Sequence, residues 1–321
     1  MLKPMLLKAP LKDYLWGGNR LRDEYGKESD LDKVAESWEL SCHEDGLSIV
    51  DSGENKGKTL ASLLAGAGKE MLGTKAADLD YFPLLIKLID AKKDLSVQVH
   101  PDNEYAWRVE GEQGKTEMWY VVDAEPGASL IYGFKEEISK DEFQRRIEDS
   151  TLLEVCNKVP VHKGDVFFIE SGTLHAIGAG ILICEVQQSS NLTYRVYDYG
   201  RLGADGKPRQ LHIDKALDVT RLEVPPKTSR TLMDIDIFPH MDVKLLADCE
   251  YFKVYHGALQ GDSAMHVGTD SFHCLTVLEG ALKLSGGGED LTLAKGSTAF
   301  VPAGLGTYQL QGQAEFILSK L

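Results

Sequence analysis

The sequence predicts a mainly β protein built as two barrels of one kind, with a small helical insertion in the first. Short apolar or alternating runs recur along the chain, most of them closed by Gly, Asp, Asn or Pro, the punctuation of antiparallel strands. Long amphipathic patterns are few. One turn–strand–turn unit occurs twice, as Gly164-Asp-Val-Phe-Phe-Ile-Glu-Ser-Gly172-Thr-Leu-His175 and as Gly296-Ser-Thr-Ala-Phe-Val-Pro-Ala-Gly304-Leu-Gly-Thr307. Two copies imply two barrels.

Strands are expected at Ser96–His100, Met118–Val122, Asp165–Ile169, Ile181–Gln187, Leu192–Tyr197, Leu275–Leu278, Ala281–Leu284 and Ser297–Val301. Three helical stretches interrupt them. Thr59–Leu64 sets a hydroxyl residue before an apolar run. Ser139-Lys-Asp-Glu142 is a capping box ahead of Phe143, Ile147 and Leu152. Ile213–Leu222 carries Ile213, Ala216, Leu217 and Thr220 on one side. Arg201–Gln210, rich in Gly, Asp and Lys, reads as an exposed loop, and Val224-Pro-Pro-Lys-Thr as a linker. The expected division is residues 1–235, with helical insertions at about 136–156 and 212–222, and residues 236–321. Thr307 stands in the second copy where His175 stands in the first, so only the first barrel would be equipped for a metal.

The 321 residues, 43% hydrophobic and 26% charged, suit a soluble protein with a real core. No apolar run reaches the roughly 18 residues of a membrane span. The opening lacks a sustained apolar stretch and a small-residue cleavage site, so no secretory signal is expected. Five scattered cysteines without a C-x-x-C pair point to reduced thiols and a cytoplasmic setting. Acidic residues outnumber basic ones 50 to 35, a formal charge of −15 that repels nucleic acid and anionic lipid. A phosphorylated substrate would then require a local basic pocket.

Strand alternation places Ser96, Gln98 and His100 on one face and Val97 and Val99 on the other. By the same rule Lys115, Glu117 and Trp119 share a face. With His175 after the Asp165–Ile169 strand, two imidazoles, a carboxylate and an amide oxygen form a nitrogen/oxygen set suited to a borderline divalent ion. Spacing alone leaves the ordinary alternative open, that these polar groups merely face water. The other histidines (His43, His162, His212, His240, His256, His266 and His273) show no such grouping.

Several motifs, in order, carry a resemblance. These are Leu15-Trp-Gly-Gly-Asn-Arg-Leu, Glu36-Ser-Trp-Glu-Leu, Lys87 followed by Gln98-Val-His100-Pro-Asp, Gly114-Lys-Thr-Glu117-Met-Trp-Tyr, Gly172-Thr-Leu-His175-Ala-Ile-Gly178 and Ser190-Asn-Leu-Thr-Tyr-Arg195-Val-Tyr-Asp-Tyr-Gly. Over nearly the whole chain the sequence resembles the type I mannose-6-phosphate isomerases, in their short bacterial form. The resemblance implies a cupin (jelly-roll) fold, one zinc ion per chain and interconversion of mannose 6-phosphate and fructose 6-phosphate. The family's metal ligands match Gln98, His100, Glu117 and His175, with Gln98 either on the ion or behind a residue that is. The family's catalytic arginine falls on Arg195. Glu170 and Thr116 stand where the family often has proline; neither change removes a ligand.

Moving a carbonyl between adjacent sugar carbons means taking a proton from the carbon beside it. The enediolate so formed needs positive charge near its oxygens, from a divalent ion and from a cation such as Arg195, each such group contributing about 3 kcal/mol. Lys115, beside Glu117, is a candidate proton carrier or phosphate partner, and Ser96 and Lys87 are candidate phosphate contacts. A monomer or homodimer is expected. Two other readings remain: a metal-dependent cupin oxygenase, since histidine and carboxylate also hold iron, and a non-catalytic sugar-binding cupin.

Overall fold

Val97 and Val99 turn one way from their short strand, and their neighbours turn the other. The computed structural model describes residues 2–65, 68–203, 206–226 and 240–321. The two valines join a buried cluster with Phe134, Phe143, Ile147, Leu174, Tyr194, Val196 and Ala216. That cluster fixes the orientation of the strand: burying the valines against helices leaves Ser96, Gln98 and His100 on the opposite face.

The helices on that cluster are those of the insertion. Ser139 accepts a hydrogen bond from the Glu142 amide at 3.1 Å and starts helix Lys140–Glu148, whose buried face is Phe143 and Ile147. The third helix is shorter than its pattern suggests, Ile213–Val219, because Thr220 is extended and its hydroxyl bonds back to the Ala216 carbonyl at 2.7 Å. Thr59 caps helix Leu60–Ala65, accepting from the Ser62 amide at 3.1 Å. A helix absent from the expectations, Asn103–Val109, begins at Asp102, which accepts from the Tyr105 amide at 2.8 Å.

Two compact units divide the chain. One comprises Asp13–Gly18 and Ile89–Arg230, the other Met1–Lys12, Asn19–Leu88 and Thr231–Leu321. In the first, a five-stranded sheet runs in the order Cys156–Pro160, Ser129–Phe134, His175–Ala176, Val97–Val99, Tyr194–Tyr197. Glu117–Ala124 pairs antiparallel with both Val166–Ile169 and Ile181–Gln188.

The second unit is also mainly antiparallel β. Strand Lys253–Val267 lies between Met241–Asp248 and Gly306–Lys320, and its alternate residues fill a core with Leu275, Leu284, Leu293, Leu310 and Phe316. Leu275–Leu278 and Ala281–Leu284, expected as two strands, are one strand, His273–Gly286. A register shift lies between Val277 and Glu279, and Gly280, at φ 73°, pairs with Ala314 inside the strand instead of making a turn. Both copies of the repeat are strands with left-handed glycines at each end: Gly164 and Gly172 at φ 92° and 84°, Gly296 and Gly304 at 83° and 78°. Among the described residues no helix is long and apolar enough to cross a membrane.

Candidate active site

Sheet register assembles the site. Gln98 faces His175 on one neighbouring strand and Arg195 on the other, so three side chains from distant parts of the sequence form one row. His100 follows where this strand ends. Glu117 enters from the other sheet of the same unit, opposite Ile169 and Gln187. The amide of Lys115 bonds to the Pro101 carbonyl at 3.0 Å, which draws the Lys115–Glu117 segment beside His100.

His100, Glu117 and His175 are all buried, and they form a group that could hold a metal ion. The two imidazole nitrogens and the carboxylate lie at similar separations. Nε2 of His100 and Nε2 of His175 are 3.1 Å apart, His175 Nε2 is 3.5 Å from Glu117 Oε1, and His100 Nε2 is 3.6 Å from Glu117 Oε2. A tetrahedral ion with bonds near 2.0–2.1 Å requires edges of about 3.3 Å.

The tautomer also fits. His175 Nδ1 lies 2.8 Å from the Thr173 carbonyl oxygen, so that nitrogen donates and the lone pair is left on Nε2, aimed at the centre of the triangle. Burial pushes the imidazole down to about 4, against the opposing pull of the Thr173 carbonyl, so the ring is neutral at physiological pH, the state in which it binds metal. Trp119 packs edge-on against this ring at 5.3 Å, and its indole nitrogen donates to Glu185 at 2.9 Å.

Around the triangle stand the other expected residues of this unit. Lys115 Nζ is 3.1 Å from Glu117 Oε2 and is itself buried. Gln98 Nε2 is 3.5 Å from His175 Nε2, while its Oε1 is 3.4 Å from the Ser96 hydroxyl; reversing the amide would turn the oxygen toward the triangle. Arg195 donates from Nε to Ser96 Oγ at 3.2 Å and from Nη1 to the Gln210 carbonyl at 3.0 Å. No carboxylate pairs with its guanidinium among the described residues. Burial, then the charge of Arg209, pushes it below the usual arginine range. An uncompensated, half-buried cation is costly unless an anion visits it.

Lys87 belongs to the other unit, where it is buried with Nζ 3.9 Å from Glu36 Oε2 and over the Trp38 ring at 5.3 Å. Glu170 forms an exposed ion pair with Arg221. Thr307, the counterpart of His175, is exposed. Three groups around the site escaped the sequence reading: the Thr173 carbonyl, the Gln210 carbonyl, and His212, whose Nδ1 accepts from the Arg195 amide at 3.2 Å. All are set by loop returns that leave no periodic signal.

Residues 5–126 match the family model "Phosphomannose isomerase type I, catalytic domain", and residues 242–321 match "Mannose-6-phosphate isomerase, cupin domain". A mannose-6-phosphate isomerase of Streptococcus mutans is 38% identical over 319 residues, 99% of this chain and 98% of that one. The chain belongs to the type I mannose-6-phosphate isomerase family. Another member, from Bacillus subtilis, is 38% identical over 320 residues, 99% of either chain. The crystal structure of a mannose 6-phosphate isomerase from Bacillus subtilis, 35% identical, superposes with a TM-score of 0.91 over 99% of both chains. The cupin architecture expected from the motifs is thus the family's.

Proposed function

We propose that this chain interconverts mannose 6-phosphate and fructose 6-phosphate, with one zinc ion per chain held by His100, Glu117 and His175. The observation that carries the reading is the buried triangle of two imidazole nitrogens and a carboxylate in a full-length member of this isomerase family. Two nitrogens and one oxygen, with further positions open to substrate oxygens, suit zinc in a catalytic role. Gln98 offers an amide oxygen as a further ligand.

A zinc ion bound there would polarise the carbonyl and hydroxyl oxygens of the sugar. The remaining work falls to the chain. Arg195, held by Ser96 and the Gln210 carbonyl and free of a carboxylate, stabilises negative charge as it develops on those oxygens. Lys115, 3.1 Å from Glu117, is the group we assign to carry the proton between the two carbons. Ser96 orients Arg195 and faces the substrate, and Lys87 is assigned to substrate binding. We assign the metal chemistry to residues 1–235 and none to residues 236–321, whose repeat copy ends at Thr307. Five free thiols and the acidic surface support a cytoplasmic enzyme, monomeric or homodimeric, that binds neither nucleic acid nor membrane.

A coupled assay from mannose 6-phosphate to fructose 6-phosphate tests this. Turnover that stops with a chelator and returns with zinc is expected. Oxygen uptake by an iron-loaded protein would favour an oxygenase, and no turnover by the zinc-loaded chain would favour a binding module.

A further inference from the structure

The second unit, where Thr307 stands in place of His175, keeps a cavity of its own. Met241, Val243, Met265, Phe316 and Leu318 wall a space of about 170 Å³ among the strands of this unit. An apolar cavity of about 150 Å³ is large enough to hold one benzene ring. Gly257 helps to shape this one. It pairs in register with Phe316, and a Cβ at Gly257 would lie 2.5 Å from the phenyl ring, so a side chain there would displace that wall. Val243 and Tyr255 are half-buried and His266 is exposed, so the lining runs from the core out to solvent.

One polar group in the lining lacks a partner. His273 is 7% exposed, and its Nδ1 is 2.9 Å from the Tyr308 hydroxyl, which also lies 3.5 Å from Met265 Sδ. Nε2 of the same ring has no hydrogen-bond partner among the described residues. Burial, then the charge of Lys320, pushes the imidazole down to about 4, so the ring is uncharged at neutral pH. An uncharged imidazole shows at Nε2 either a lone pair or an N–H, according to which member of the His273–Tyr308 pair donates. A hydroxyl satisfies both states, because it donates and accepts, whereas a carboxylate satisfies only one. Charge argues the same way. The Lys320 ammonium in the lining lies 3.8 Å from the Asp270 carboxylate, so its charge is already matched and a neutral ligand is favoured over an anion.

We propose that this cavity is a binding site for a small neutral hydroxylated aromatic molecule of about phenol size, its ring among Met241, Met265, Phe316 and Leu318 and its hydroxyl on His273 Nε2. Two thioether sulfurs and a phenyl ring favour an aromatic body over an aliphatic one of the same volume. An apolar wall with one convergent polar group is the usual make-up of a small-molecule site, the wall giving affinity and the polar group orientation. The proposal does not rest on the isomerase reading, whose metal triangle lies in the other unit.

Phenol is the probe, and toluene, which keeps the ring and lacks the hydroxyl, is its control. Calorimetry and methyl NMR on the full chain read the binding. One phenol per chain is expected, with a Kd of about 1 mM or tighter and shifts at Met241, Val243, Met265 and Leu318. Phenol should bind about fivefold tighter than toluene, as for one hydrogen bond gained. Val243→Phe, which fills the cavity from its wall, should weaken both ligands by at least about tenfold. His273→Leu should weaken phenol by about tenfold and leave toluene within about twofold. No phenol bound at about 10 mM, or binding that Val243→Phe leaves intact, would overturn the site. Equal phenol affinity in the wild type and His273→Leu would overturn the hydroxyl anchor and the ligand class with it. If His273→Leu does not fold, the wild type alone decides, and toluene bound as tightly as phenol contradicts the proposal.

Discussion

Nδ1 of His175 lies 2.8 Å from the carbonyl oxygen of Thr173, two residues earlier in the same chain. This contact decides which nitrogen of the ring is available. With Nδ1 committed to the carbonyl, only Nε2 can take part in the triangle with His100 and Glu117. The turn at Gly172 thus sets the chemistry of the site as well as its shape.

His100→Ala, Glu117→Ala and His175→Ala should each lose bound zinc and activity together, the activity by at least about a hundredfold. Metal analysis beside the coupled assay reads both. A variant that keeps its activity without metal would show that the triangle is not the reacting centre.

Arg195→Ala should behave differently. Its guanidinium meets Ser96 and a backbone carbonyl rather than any residue of the triangle, so the metal stays bound. Activity should drop by about 10²–10³, as for other preorganised groups facing developing negative charge. Loss of zinc in this variant would show that Arg195 supports the fold of the site instead.

Acid should weaken the second unit through His273. Burial pushes this imidazole down to about 4, with Lys320 adding to the effect, and its Nδ1 is 2.9 Å from the Tyr308 hydroxyl. The folded ring holds its proton less tightly than an ordinary histidine near 6.5, so the unfolded chain binds more protons. Stability is therefore full above about 6.5 and falls as the pH drops toward 4, the loss reaching about 2 kcal/mol by pH 5 from this group. Urea unfolding of the wild type and His273→Gln at pH 7.5 and pH 5 checks it: the variant should lose less stability between the two. Equal losses would remove His273 from the account.

Much of the site was legible because strands alternate. Ser96-Val97-Gln98-Val99-His100 and Lys115-Thr116-Glu117 announce their polar faces, and the buried valines confirm the assignment. The row of His175, Gln98 and Arg195 was not legible, since the register between strands so far apart in sequence leaves no local periodicity. Arg201–Gln210 reads as a solvated loop from its Gly, Asp and Lys content. Only the fold shows that its two arginines return to Asp198. Gly280 misleads in the opposite direction: a glycine between two apolar runs signals a turn, yet here it pairs with Ala314 inside one long strand. Glycine's freedom serves both uses equally, and the sequence does not distinguish them.

The central claim is that the isomerase reaction depends on one ion in the His100, Glu117 and His175 triangle. Titrating chelated, metal-free protein with zinc while following conversion of mannose 6-phosphate tests it most directly. Activity should rise in proportion to added zinc and level off at one equivalent per chain, with His175→Ala showing no such rise. Undiminished activity in the metal-free protein, or the same saturating response in His175→Ala, would contradict it.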